Sequence, residues 1–339
     1  MEDNLMEDNL EIIERGLLSE VDAESDFIII DSPEPIVVGE MPRDMPRDMP
    51  RDMPKPVRKI SAKVLNYLGT VKVTTDFSHR NHKAWLLQSL LNELKYSLNP
   101  DGFFGQLTEE QVKKFQAAKG LKVDGIVGQA TWSELIWHGK NQISNSKIAY
   151  KDYQDAAEKL DVDVAVVQAI KDVEAGGSGF VYSNHPTILF ESHVFWKELT
   201  KLKVEPSDYN DPEILNQTWN QGKTHYVGGV GEHARLEKAR YINRDAANAS
   251  ASWGLFQIMG NNYKACNCNT VQEFVDKMCM SEREQLMLFI EFIKYHDMAK
   301  HLRGDRKNWA EFARRYNGAG YKQNHYDTKL EAAYNRYKK

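Results

Sequence analysis

The sequence predicts a mainly α protein, two helical units behind a low-complexity tail, and three observations carry that prediction. From about His82 onward apolar residues recur at i, i+3, i+4 and i+7, the period of helices that bury one face. Ser, Thr and Asp stand at the heads of these segments and glycines near their ends, as N-caps and helix stops do. Ahead of them, residues 1–56 carry tandem repeats and no helical period.

The tail opens on MEDNL twice and closes on MPRD three times. Proline at every fourth position bars helix, and so acidic a segment has little apolar area to offset the entropy of ordering. It is expected to be a disordered linker, with one apolar stretch, Phe27 to Val38, that could dock to a partner. Residues 1–54 hold 16 acidic and 4 basic side chains, a balance of −12, so the chain's net −5 leaves +7 on the body. Hydrophobic residues at 41% suffice for real cores, while a mean hydropathy of −0.59 and the lack of an 18-residue apolar run speak against a membrane span. No basic helix or zinc-finger spacing points to nucleic acid. Met1 is followed by Glu2 and Asp3 rather than by a basic stretch and an apolar run, so no secretory signal is expected and synthesis in the cytoplasm is. Cys266, Cys268 and Cys279 are too few and too clustered for a disulfide framework, and free thiols are expected. No cofactor or metal is called for; His185, Glu191 and His193 lack the helical spacing of a ligand set.

The first unit contains an internal repeat. Asp101 to Thr108 reads DGFFGQLT and Asp124 to Thr131 reads DGIVGQAT, 23 residues apart. The glycines supply turn conformations, and Thr108 with Gln111 and Thr131 with Glu134 have capping-box spacing, so each copy is a turn feeding a helix. Val112 and Phe115 face a stripe of Leu87, Leu90, Leu91 and Leu94, and three short helices are expected to close a small unit within residues 57–142. The stretch from Leu87 to Leu135 resembles the three-helix peptidoglycan-binding domain carried by bacterial cell-wall hydrolases. That resemblance implies affinity for the wall, with Asp101, Gly102, Asp124 and Gly125 as contact points.

The second unit, residues 147–339, is expected to fold without the first. Asp163 is placed to cap VAVVQAIKDVE, whose Val166, Ile170 and Val173 form an apolar stripe, and the helix ends at Glu174 before a glycine-rich turn. Glu174 shares a face with Val167 and Ile170. An apolar setting holds a carboxyl protonated near neutral pH, as the donor to a glycosidic oxygen must be. Ser281 with Glu284 opens a central helix with a stripe of Leu286, Phe289 and Ile293, and Trp309, Phe312 and Tyr316 form another.

VEAGGSGF, HPTILFESHVFW (185–196), ASWGLFQIMG (251–260) and RRYNGAGY (314–321) follow in order. Together they resemble the phage-type N-acetylmuramidase endolysins of the lysozyme-like superfamily, which implies an α(+β) catalytic domain behind the wall-binding one. By motif, Glu174 matches the family's general acid, Gln257 a residue lining the cleft, and Tyr316 with Asn317 the pair beside the scissile bond. Glu191 is read as a further substrate contact or as an anchor of its loop. For the second carboxylate Glu191, Glu232 and Asp245 are candidates that spacing does not separate. The resemblance implies a peptidoglycan hydrolase cutting between N-acetylmuramic acid and N-acetylglucosamine. A lytic transglycosylase, or a virion-associated wall binder docked through the tail, are the alternatives.

Overall fold

The structure, a computed structural model, describes residues 60–75, 78, 80–140, 147–175, 177–322 and 325–338. The tail and its Phe27–Val38 stretch lie outside the described residues.

Among the described residues the first unit has a short helix, α1 (Ala62–Leu68), followed by the three expected helices, α2 (His82–Glu93), α3 (Gln106–Ala118) and α4 (Gln129–Lys140). Leu87, Leu90, Leu91, Val112, Phe115 and Trp132 are buried together, and Val71 pairs with Val127 in a single antiparallel bridge. The repeat is real in three dimensions, but its threonines are not the caps that the spacing suggested. Helix α3 opens at Gln106 with Gly105 at the N-cap, which puts Thr108 inside the first turn. What organises each copy is a buried glutamine. Gln88 Nε2 donates to Asp101 Oδ1 (2.9 Å), to the Phe103 carbonyl and to Thr108 Oγ1, while its Oε1 accepts from Gly102 N. Gln116 repeats this with Asp124 Oδ1 (3.1 Å), the Ile126 carbonyl, Thr131 Oγ1 and Gly125 N. Gly102 and Gly125 have φ of +79° and +72°, the left-handed region that lets their amides turn inward to the glutamine.

The second unit comprises α5 (Tyr150–Leu160), α6 (Val164–Glu174), α7 (Ser192–Lys201), α8 (Trp219–Gly222), α9 (Gly231–Arg240), α10 (Arg244–Ala249), α11 (Val271–Met280), α12 (Glu282–Tyr295), α13 (Trp309–Asn317) and α14 (Tyr326–Tyr337). Two small sheets accompany them. Strand β1 (Phe180–Tyr182) pairs antiparallel with β2 (His185–Pro186), and β3 (Ile188–Phe190), β4 (Ala251–Trp253) and β5 (Ile258–Met259) form an antiparallel three-stranded sheet in that order. Ile188 faces Trp253 and Phe190 faces Ala251 across β3 and β4. Helix α12 runs through the core, with Leu286, Phe289, Ile290 and Ile293 buried.

The two units do not close separately. Tyr182 of β1 belongs to the first unit's core, together with Val230 and Ala234 of the α9 region. Its ring lies flat on Gly139 of α4, where a Cβ would meet it at 1.7 Å, and its hydroxyl donates to the Leu90 carbonyl at 3.0 Å. Asn184 Nδ2 adds a bond to Glu93. The second unit thus shares a contact with the first away from the DG turns: the helical period of α2 and α4 leaves one face for an aromatic ring that follows in the chain by more than 40 residues.

Candidate active site

Helix α6 carries the central carboxyl, and its ends are pinned. Asp163 stands at the N-cap position, yet its side chain caps nothing; it accepts from Lys307 Nζ (2.9 Å) and Tyr334 Oη (2.8 Å), tying α6 to α14 and to the loop before α13. Near the other end Tyr337 Oη donates to Asp172. Glu174 is the last residue of α6 and is half-buried. Burial lifts its carboxyl to about 7, against the opposing pull of an Asn317 hydrogen bond and the Lys329 charge. The aligned carbonyls at a helix C-terminus act in the same direction as burial.

Asn317, the last residue of α13, donates from Nδ2 to Glu174 Oε1 at 2.9 Å. Because that N–H needs a lone pair, the proton of the neutral acid resides on Oε2. Asn317 is buried, and its Oδ1 has no partner, so an unpaired acceptor stands beside the acid. Tyr316, one residue before, is also buried: its hydroxyl donates to the Phe256 carbonyl at 3.2 Å, and its ring packs edge-on against Phe289, which stacks on Phe256 at 4.1 Å. Tyr316 thus ties α13 to the 254–257 turn.

Gln257 is bound into the same turn. It sits at φ +49°, and its side chain is spent on the turn: Nε2 donates to the Thr187 and Gly254 carbonyls, and Oε1 accepts from Ser252 Oγ at 2.8 Å. A second glutamine that the sequence reading missed does comparable work. Gln285, fully buried on α12, accepts from Leu255 N and donates to the Gly179 and Met278 carbonyls, while Glu282 accepts from Gly179 N. Together they hold the 177–179 segment after Glu174 against the 254–257 turn. Their only sequence signal is a polar residue interrupting the apolar side of α12.

The candidate second carboxylates do not converge on Glu174. Glu232 is fully buried, paired with Arg235 at 2.7 Å and accepting from the amides of Phe190, Val227 and Gly228. Glu191 is 2% exposed and accepts from Tyr226 Oη at 2.5 Å with His193 beside it. Asp245 is exposed in the first turn of α10. Among the described residues the groups that shift Glu174 are Asn317 and Lys329, and neither is an acid.

The four residues read as wall contacts are held within their turns. Asp101 and Asp124 are bound to Gln88 and Gln116, and Gly102 and Gly125 are buried beneath their turns. The large apolar side chains exposed in and beside the repeats are Leu107, Val123 and Ile126.

Residues 163–338 match the family model for N-acetylmuramidase. The chain belongs to that family. Ahead of this domain, residues 86–135 match a putative peptidoglycan-binding domain. Among solved structures this N-acetylmuramidase-family chain is similar to the crystal structure of a Burkholderia AP3 phage endolysin, with 36% identity and a TM-score of 0.52 over 80% of this chain and 98% of that one. It is also 52% identical over 48 residues to an uncharacterized protein in the bpoA1 3' region of Kitasatospora aureofaciens. That match spans 14% of this chain and 40% of the relative.

Two predictions follow from the geometry. Activity that needs neutral Glu174 is present at low pH and lost as pH rises through about 7, the value to which burial lifts it. Asn317→Ala removes a donor to the ionised form and moves that limb of the pH profile to higher pH, a shift read from rates across pH 5–9 on the order of half-unit steps. The second concerns the thiols. Cys266 and Cys268 are buried and Cys279 is held at about 12 by burial, and no group of three or more metal-ligating side chains exists among the described residues. Alanine at any one of them, or added EDTA, should leave activity within about threefold.

Proposed function

We propose that this N-acetylmuramidase-family protein is an endolysin-type peptidoglycan hydrolase that cleaves between N-acetylmuramic acid and N-acetylglucosamine. The observation that carries this reading is Glu174, a carboxyl at a helix end with its pKa lifted to about 7 and one oxygen held by Asn317. Glu174 Oε2 gives its proton to the bridging oxygen as the bond breaks, and Asn317 holds the other carboxyl oxygen in place. Glu191 and Glu232 are bound elsewhere, and the oxocarbenium-like sugar is captured by a water that gives up a proton, which restores the neutral Glu174 carboxyl. The domain over residues 86–135 holds the enzyme on the wall, and the basic body favours its approach to an anionic surface. Docking to a virion through the acidic tail belongs to the same proposal; removal of residues 1–56 tests it by loss of co-purification with particles.

Mass spectrometry of peptidoglycan digested with the full chain tests the activity. Reducing N-acetylmuramic acid ends support it. Anhydro ends, reducing N-acetylglucosamine ends or undigested material overturn it.

A further inference from the structure

A shallow groove of about 560 Å³ lies apart from the Glu174, Asn317 and Tyr316 set. One wall is the half-buried ring of Trp196 on α7; the other is the segment 215–225, which presents Asn216, Gln217, Gln221, Thr224 and His225. The segment is built to stay in place. Asn216 is buried and donates to Ser192 Oγ (3.0 Å) and to the Pro212 carbonyl (2.7 Å). Gly222 is set so close that a Cβ would lie 2.4 Å from Ser192 Oγ. Trp219 hydrogen-bonds Tyr226, whose hydroxyl donates to the buried Glu191 just before α7. The Glu191 carboxylate is thus the fixed point to which the lip of the groove is fastened.

The lining has the chemistry of sugar recognition. Three primary amides offer planar donors and acceptors, a hydroxyl and an imidazole add more, and an indole face covers ring carbons. No Asp, Glu, Lys or Arg is among the lining residues, which suits a neutral ligand rich in hydroxyl and amide groups. The volume lies within the range of small-molecule sites, roughly 300–1,000 Å³. Strand β3 connects the two places: Gln257 holds Thr187 just before it and Glu191 follows it, about 13 Å apart along an extended backbone.

We propose that this groove is a second saccharide-binding site, which takes an N-acetylhexosamine of the glycan strand away from the bond being cut. The proposal rests on the reading of glycan strands as substrate, and its test is separate from the test of cleavage. Full-length Glu174→Gln protein is titrated with N-acetylglucosamine trisaccharide, followed by NMR, beside the same protein carrying Trp196→Ala or Gln221→Ala. Loss of the indole face is expected to weaken binding by about tenfold, and loss of the Gln221 amide by about threefold. Both residues are at the surface, and unchanged melting temperatures identify the loss as one of binding. Trisaccharide affinities within twofold of the parent in both folded variants overturn the groove, as does a parent that does not bind the trisaccharide. A wild-type enzyme that leaves glycosidic bonds intact overturns the functional reading instead, whatever the titration shows.

Discussion

Glu174→Gln is expected to lower lytic turnover by about 10³-fold while the protein folds normally. The amide has the shape of the acid, and its Oε1 can still accept from Asn317 Nδ2, so the end of α6 keeps its contact with α13. What it lacks is a transferable proton. A linked stability effect distinguishes this from general damage. The folded-state pKa of Glu174 is raised from 4.5 to about 7, so the native state binds the proton more tightly than the unfolded one. Stability from that linkage is present below pH 4.5 and lost as pH rises through about 7. The glutamine variant has no such slope, and its melting temperature above neutral pH should equal or exceed that of the wild type. Turnover within tenfold of wild type would remove Glu174 from the mechanism.

Deleting residues 1–146 is expected to lower the melting temperature of what remains by about 10–20 °C, and with it the yield of active enzyme. Tyr182 and Val230 are buried against α2 and α4 and would face water, and the Tyr182 hydroxyl would lose its acceptor. Two large side chains at about 1.5–3 kcal/mol each and one hydrogen bond near 1 kcal/mol give about 4–7 kcal/mol, a large share of a typical total of 5–15. Gly139→Leu in the full chain tests the same contact without deletion, because the new side chain must displace the Tyr182 ring. A fragment that melts with the intact protein would show that the two cores are independent.

The helices were legible where their signals are local. Helix α6 begins after Asp163 and ends at Glu174, as the spacing of Val166, Ile170 and Val173 and the glycines beyond required. Ser281 caps α12 through Glu284 N as its spacing suggested. Side-chain use was less legible, because it depends on partners far along the chain. Asp163 has the right position for a cap but spends its oxygens on Lys307 and Tyr334. The repeat was visible as DG and GQxT strings, yet Gln88 and Gln116, which hold it together, look like ordinary helix residues until the turns fold over them. Glu191, Glu232 and Asp245 were candidates for the second carboxylate that spacing did not separate. Tyr226 and Arg235 show why the first two are buried. For Glu174, the helix stop and the apolar face pointed to a raised pKa, and the contact with Asn317 required the fold.

The Tyr182 ring seated on Gly139 has a geometric consequence for action on a polymer. A binding module on a slack tether lets its enzyme sample every bond within reach, so the cuts fall at random. Here the surface of the first unit and the carboxyl of Glu174 are parts of one packed body, and their separation is a constant of the molecule. Such an object behaves as a gauge: where it grips sets where it cuts, and fragment lengths in an early digest should cluster around one spacing. Gly139→Leu, by loosening the gauge, should broaden that distribution before it abolishes cutting.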